Sequence, residues 1–300
     1  MKKISYLLSA IVVVTTTAFT SFSGLPGGTD VWLFNYTFQS GNYEIVSGQN
    51  ISNHKGYDSQ PSFSENGGYM LWTSERDSGQ TDIYRYDVVG KTSTRLTQTT
   101  VSEYSPTYMF GGKYISAVVV EQDSSQPLWQ YHKTSAKSKL LVPKVYGVGY
   151  HCWFDERTVF LFQLTEPVTL VLCDVRSGAT RIITSNIGRS MSAFKTVKHK
   201  LMLYTQRDDA GKLWIKAVDK LGMKAEDFTP IPCVENSEDF TVDKRGYILM
   251  GSGSKLFSWK INESTEWRMV ADLAGFSIKN ISRIAVSPDG FHLALVDNQE

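Results

Sequence analysis

The chain has 300 residues, of which 41% are hydrophobic and 20% charged, values of a globular protein and not of a disordered one. A formal net charge of +1 with no strong basic block leaves no electrostatic footprint for nucleic acid, which is not expected as a partner. At this length a folded chain buries roughly 75% of its unfolded surface and needs no disulfide or metal to hold it together.

The first element is an address. Lys2 and Lys3 are followed by an apolar stretch from Tyr6 to Phe19, and then by Ser21 and Ser23 before Gly24. This is the layout of a bacterial-type secretory signal peptide over residues 1–23. The apolar core is too short and too rich in threonine for a comfortable span of about 20 residues. No cysteine lies near the cleavage region to carry a lipid. The mature chain is therefore expected to be exported, periplasmic or extracellular, without membrane insertion.

A strand pattern begins at Asp30 with "DVWLFNYTFQSGN". After it a unit recurs. "SQPSFSENGGYMLWTS" carries Phe63 before a polar turn and an apolar strand. Equivalent positions follow at Tyr108, Trp153, Phe194, Val242 and Val286, at intervals of 45, 45, 41, 48 and 44 residues. A second register runs through Ile83, Leu128, Leu170, Leu213 and Leu256, at intervals of 45, 42, 43 and 43. Equal periods of about 40 to 50 residues, each holding several short strands, mark a β-propeller. Turn residues such as Asn66-Gly67, Gly111-Gly112 and Pro288-Asp289-Gly290 punctuate the strands. Six first strands but only five later third strands are found. Val31, Trp32 and Phe34 match Ile83, Tyr84 and Tyr86, so the N-terminal segment supplies the missing partner. The expected fold is all-β: one domain over residues 24–300, a six-bladed propeller of four-stranded antiparallel blades. In its last blade the C-terminus gives the two inner strands and the N-terminus the two outer ones. Such closure removes an open sheet edge.

Cys152, Cys173 and Cys233 form an odd set without metal-site spacing. The register puts Cys152 on an innermost strand and Cys173 on a third strand. At about 4.8 Å per strand they stand near 10 Å apart, too far for a disulfide.

The run Gln60-Pro61-Ser62-Phe63-Ser64-Glu65-Asn66-Gly67, then Leu71-Trp72-Thr73-Ser74, Asp82-Ile83-Tyr84 and Arg95-Leu96-Thr97 resembles the TolB-type propeller repeat, as does Ala285-Val286-Ser287-Pro288-Asp289-Gly290. The other four units are degenerate and lack the Pro-Asp-Gly turn. The resemblance implies an exported scaffold that binds protein partners at the cell envelope. The separate α/β domain that precedes the TolB propeller is not found here, so identical partners are not implied. Related peptidase propellers attach to a hydrolase domain, of which no Gly-x-Ser-x-Gly elbow is seen.

Candidate site residues lie where each innermost strand begins, because these positions converge on one mouth of the central channel. They are Tyr57, Asp58 and Gln60; Glu103 and Tyr104; His151; Arg189 and Ser190; Glu238 and Asp239; and Asn280 and Arg283. Mixed aromatic, acidic and arginine side chains suit a ligand or peptide site. The adjacent pair Glu238-Asp239 points to opposite faces of a strand and cannot flank one bond. A metal set of Glu103, His151 and Glu238 is conceivable but nothing requires it. His54, His132, His199 and His292 show no zinc spacing. The reading is thus a monomeric, non-enzymatic scaffold for a protein or peptide of the envelope. No catalytic residue, cofactor or metal is expected. The alternatives are a glycan-acting propeller enzyme and a sensor of a small ligand or cation, each with its site in the channel mouth.

Overall fold

The computed structural model describes residues 28–77, 79–135, 137–195 and 200–298; the expected signal peptide and His199 lie outside them. Among the described residues, 24 strands form six four-stranded antiparallel sheets. The chain starts with β1 (Thr29–Gln39) and β2 (Asn42–Asn50). Blade 1 is β3 (Asp58–Phe63), β4 (Tyr69–Asp77), β5 (Gln80–Asp87) and β6 (Thr92–Arg95). Blade 2 is β7 (Ser102–Tyr108), β8 (Tyr114–Val120), β9 (Leu128–His132) and β10 (Ser138–Leu140). Blade 3 is β11 (Val148–Trp153), β12 (Thr158–Gln163), β13 (Thr169–Asp174) and β14 (Thr180–Ser185). Blade 4 is β15 (Ile187–Lys195), β16 (Lys200–Arg207), β17 (Leu213–Val218) and β18 (Ile231–Pro232). Blade 5 is β19 (Phe240–Val242), β20 (Tyr247–Ser252), β21 (Lys255–Lys260) and β22 (Arg268–Asp272). Blade 6 pairs β23 (Ile281–Val286) and β24 (His292–Asn298) with β1 and β2, in the order β23-β24-β1-β2.

Blade 6 is the composite blade that the strand count demands. Val31 pairs with Val296 and Phe34 with Leu293, and the ladder ends at Asn35 opposite His292. The innermost strands touch in sequence from β3 round to β23, and β23 touches β3 again, so the ring is closed. Phe63, Tyr108, Trp153, Val242 and Val286 each end an innermost strand, and Phe194 stands one residue from the end of β15. The second register falls on third strands throughout. In blade 4 the fully buried residue is Ile215 and Leu213 is half-buried; standing two positions apart they share one face, since side chains alternate.

Alternation also explains how the blades hold together. Met70 and Trp72 of β4 face blade 6, whereas Leu71 of β4 and Ile83 of β5 face blade 2. Every blade is thus apolar on both sides. Among the described residues the buried apolar side chains form six clusters, one in each seam between neighbouring blades. The three cysteines are unpaired. Cys152 of β11 and Cys173 of β13 are separated by β12, as the register requires.

Candidate functional site

All six innermost strands begin on the same face of the ring, so their first residues surround one mouth of the channel. Regular alternation would send every second side chain into a blade seam. Bulges interrupt it. The pairing of the innermost strand with its neighbour slips between Ser59 and Ser62, Tyr104 and Thr107, Val148 and Tyr150, Ile187 and Met191, and Ile281 and Arg283. Each bulge re-aims side chains near the channel. Gln60 and Ser105 lie in two of these bulges with φ of 60° and 52°, a left-handed conformation that costs a non-glycine residue energy. Gln60 Oε1 accepts the Ser105 N–H at 2.7 Å and the Thr73 hydroxyl at 3.0 Å, which ties the two bulges together.

The structure gathers four of the expected residues, with one addition, into a network at the mouth. Arg283 Nη1 donates to both Asp239 oxygens at 3.0 Å, and its Nη2 donates to the Tyr150 hydroxyl at 2.9 Å. Arg189 Nε donates to Asp239 Oδ2 at 2.8 Å, and its Nη2 to the Ser282 carbonyl at 3.1 Å. Glu238 Oε1 accepts the Arg189 backbone N–H at 2.9 Å. These groups come from blades 3 to 6. Burial alone would lower the Arg283 pKa, but Asp239 and Tyr150 outweigh it and hold the guanidinium charged. Tyr57 is buried beside this network, stacks edge-on against Tyr104 at 6.4 Å, and has its pKa pushed up by burial. Gly188 permits the approach of Glu238. A Cβ there would sit 2.3 Å from Thr205 Oγ1 and 2.6 Å from Glu238 Oε1.

Asp58, Glu103 and His151 are placed differently. Asp58 and Glu103 occupy equivalent positions of blades 1 and 2, and both are fully buried away from the channel. Asp58 Oδ1 accepts from Trp72 Nε1 at 2.9 Å, Ser74 Oγ at 2.6 Å and Arg76 at 3.3 Å. Glu103 accepts from the hydroxyls of Thr97 at 2.8 Å, Thr99 at 2.6 Å and Tyr131 at 3.2 Å, and so bridges blades 1 and 2. Burial raises its pKa to about 7. His151 reaches across to blade 2, where its Nε2 lies 2.7 Å from Ser116 Oγ, and it also forms part of the channel wall. Glu103, His151 and Glu238 therefore belong to different seams and do not converge. Among the described residues no three His, Cys, Asp or Glu side chains group as metal ligands.

Just inside the mouth is a chamber of about 140 Å³, whose wall includes the bulged segments around Gln60 and Ser105 together with Tyr150, Arg189, Asp239 and Arg283. A groove of about 900 Å³ opens beside it, between blades 4 and 5, bordered by Arg207, Lys212, Glu235 and Glu238. Tyr150 and Ser105 escaped the sequence reading. The glycine before Tyr150 and the Ser105-Pro106 pair, parallel to Gln60-Pro61, were the available signals.

This geometry can be set beside known proteins. No protein-family model and no curated protein sequence matches the chain. Its solved structural neighbours do. A chain from Agrobacterium tumefaciens assigned as TolB superposes with a TM-score of 0.64 at 11% identity, over 90% of this chain and 98% of that one. TolB from Acinetobacter baumannii gives 0.51 at 17% identity, over 67% of this chain and 51% of the other. The fold is a TolB-like six-bladed β-propeller. The same architecture serves enzymes. A gluconolactonase from Xanthomonas campestris gives a TM-score of 0.60 at 8% identity over 92% of this chain and 99% of that one. An oligogalacturonate lyase solved with manganese gives 0.53 at 9% identity, over 85% and 82%. Among the described residues of the TolB-like chain, no helix is long and apolar enough to cross a membrane.

Proposed function

We propose that this TolB-like propeller is an exported, non-enzymatic scaffold that binds a protein or peptide partner of the cell envelope through the mouth of its channel. The observation that carries the reading is the Arg189–Asp239–Arg283–Tyr150 network at the mouth, continuous with the groove between blades 4 and 5. Chamber and groove together offer an extended polar path, suited to a chain segment more than to a compact small molecule. The likeness to two TolB chains supports a scaffold at the level of fold, which by itself does not assign function. The export half of the proposal rests on the Lys2-Lys3 and Tyr6-to-Phe19 pattern. A channel enzyme, suggested by the lyase and lactonase neighbours, fits less well. Asp239 is held by two arginines and Glu238 Oε1 accepts a backbone N–H, so both carboxylates are already engaged by the protein's own donors.

The test is capture of an envelope protein by the immobilised mature chain. Arg189→Ala and Tyr104→Ala should each abolish it, whereas Phe110→Ala, an exposed residue at the opposite face, should leave it intact. Capture that survives both mouth substitutions, or that fails only with Phe110→Ala, would move the binding surface away from the mouth.

A further inference from the structure

On the face opposite the mouth, the turns that follow the innermost strands of blades 1 and 2 enclose a second cavity. One bank is the turn over residues 64–67, the other the turn over residues 109–112. Gly112 N–H closes the latter on the Met109 carbonyl at 3.0 Å. Gly111 and Gly112 have φ of 77° and 58°, and nothing lies within 4 Å of a Cβ at either, so the cavity is open on that side. It measures about 740 Å³, within the span of about 300–1,000 Å³ usual for small-ligand sites. Rings dominate its wall: Phe63, Tyr69, Tyr108, Phe110 and Trp153. Tyr69 and Phe110 are 38% and 42% exposed, so a ligand can touch them directly.

The wall also carries cations that the fold leaves uncommitted. Arg85 and Lys133 line the cavity, and among the described residues neither enters an ion pair. The Arg85 guanidinium lies over the Tyr69 ring, 5.2 Å from its centroid, which orients it while its N–H edge stays free. Neither its nitrogens nor the Tyr108 hydroxyl are among the buried atoms sealed off without a partner, so both are within reach. Burial pushes the Tyr108 pKa up to about 12, which keeps that hydroxyl a donor. Asp87, two residues along β5 from Arg85, is turned to the N–H groups of Val89 and Gly90 at 3.0 and 2.8 Å. Glu65 is the one carboxylate among the described wall residues, against Arg85 and Lys133, a net charge of one positive.

We propose that this cavity binds a flat aromatic ring that carries a carboxylate. The ring packs among Tyr69, Tyr108 and Phe110, and the carboxylate meets the Arg85 fork, with the Tyr108 hydroxyl and Lys133 in support. A planar fork holds a carboxylate by two parallel bonds, and aromatic rings pair offset or edge-on. The occupant is a free aryl acid or the aromatic residue that ends a chain. The site is separate from the mouth and does not depend on the partner reading.

The experiment labels the methionine methyls of the full mature chain with ¹³C and titrates it with 3-phenylpropionate, its amide, 3-cyclohexylpropionate, N-acetylphenylalanine and methyl glucoside. Met109 lines this cavity and Met191 the chamber at the mouth, so their signals report the two sites separately. The aryl acid should shift Met109 and not Met191. It should bind about tenfold or more tightly than the amide, the gain expected for hydrogen bonds to a charged group, and about threefold or more tightly than the cyclohexyl acid. If N-acetylphenylalanine binds more tightly than 3-phenylpropionate, a chain end is the source of the carboxylate; if not, a free acid is. Arg85→Gln should abolish the preference for acid over amide, and Arg85→Lys, which keeps the charge without the fork, should restore only part of it. Phe110→Ala should weaken acid and amide alike. Equal binding of the amide or of the cyclohexyl acid, a shift at Met191 instead of Met109, methyl glucoside as the better ligand, no binding, or wild-type affinity in the Arg85→Gln and Phe110→Ala variants would overturn the proposal. Arg189→Ala should leave the Met109 shift unchanged, so failure at the mouth and failure here are told apart.

Discussion

Closure of the ring by the two ends of the chain can be tested at Phe34. This residue of β1 is fully buried, stacks on Trp32 at 6.0 Å and meets Phe276 edge-on at 5.2 Å. It belongs to the seam that joins blade 6 to Leu249 and Leu256 of blade 5. Gly48 on the neighbouring strand leaves room for it, since a Cβ there would come within 2.3 Å of the ring. Phe34→Ala removes a buried ring and leaves a cavity that such a packed seam cannot fully close, a loss of about 3–5 kcal/mol. Total stability is typically about 5–15 kcal/mol. Val46→Ala on β2, a residue 61% exposed, should change stability by no more than about 0.5 kcal/mol. In urea unfolding, Phe34→Ala should lower the midpoint of a single transition without changing its slope. A complementary gain is available at the end of the ladder. Tyr36 N–H bonds to the Phe291 carbonyl at 3.0 Å, so the next pair, Asn35 and His292, is of the non-hydrogen-bonded kind whose Cα atoms are about 4.5 Å apart. Cysteines at these two positions should form a disulfide and, by closing nearly the whole chain into a loop, stabilise it by up to roughly 5 kcal/mol. An unchanged urea midpoint for Phe34→Ala, or a reduced Asn35→Cys/His292→Cys pair that will not oxidise, would refute the composite blade.

Two further outcomes follow from the seams and the mouth. Glu103 has a pKa raised from 4.5 to about 7, chiefly by burial and against the hydroxyls of Thr99 and Thr97, so the native state holds its proton more tightly than the unfolded chain. Its contribution is fully present below pH 4.5 and is lost as pH rises through about 7, a difference of about 3 kcal/mol between pH 4 and pH 8. Glu103→Gln should remove that slope from stability curves, and identical slopes in variant and wild type would show that Glu103 titrates normally. Gly188→Ala should cost about 1–3 kcal/mol by overpacking Thr205 and pushing Glu238 off the Arg189 backbone N–H; wild-type stability together with wild-type partner capture would show that the contact is slack.

The ring was legible because its information is repeated. Phe63, Tyr108, Trp153, Val242 and Val286 end their innermost strands for one reason, a turn that follows and a seam that needs filling, and repetition averages away the degenerate units. Val31, matched only to Ile83 in the sequence, pairs with Val296 as closure requires. The outer strand of blade 4 was not legible, since Ile231–Pro232 is a two-residue pairing reached after an irregular stretch. The mouth resisted for a different reason. Reading it needs the facing of single residues, and bulges break the count of alternation. Asp58 and Glu103 looked like channel carboxylates and turned into the seams, while Tyr150, next to His151, came to hold Arg283. Bulges leave little trace in composition, beyond a Gly149 or an Xaa-Pro pair such as Gln60-Pro61 and Ser105-Pro106.

The polar network at the mouth is poorly explained by stability. Arg283 and Asp239 each have side chains only 14% exposed, and a buried ion pair recovers its desolvation cost at best narrowly. Six apolar seams already close the ring, and a plug of leucines across the channel would hold it at least as well. The wall instead joins strained bulges at Gln60 and Ser105 to two arginines clamped on one carboxylate, and leaves His151 Nδ1 and Ser105 Oγ without a hydrogen-bond partner among the described residues. Strain and unsatisfied polarity gathered at one place run against the fold's own energetics, and such departures cluster at functional sites. That is the physical ground for locating recognition in the channel and not on the rim of the blades.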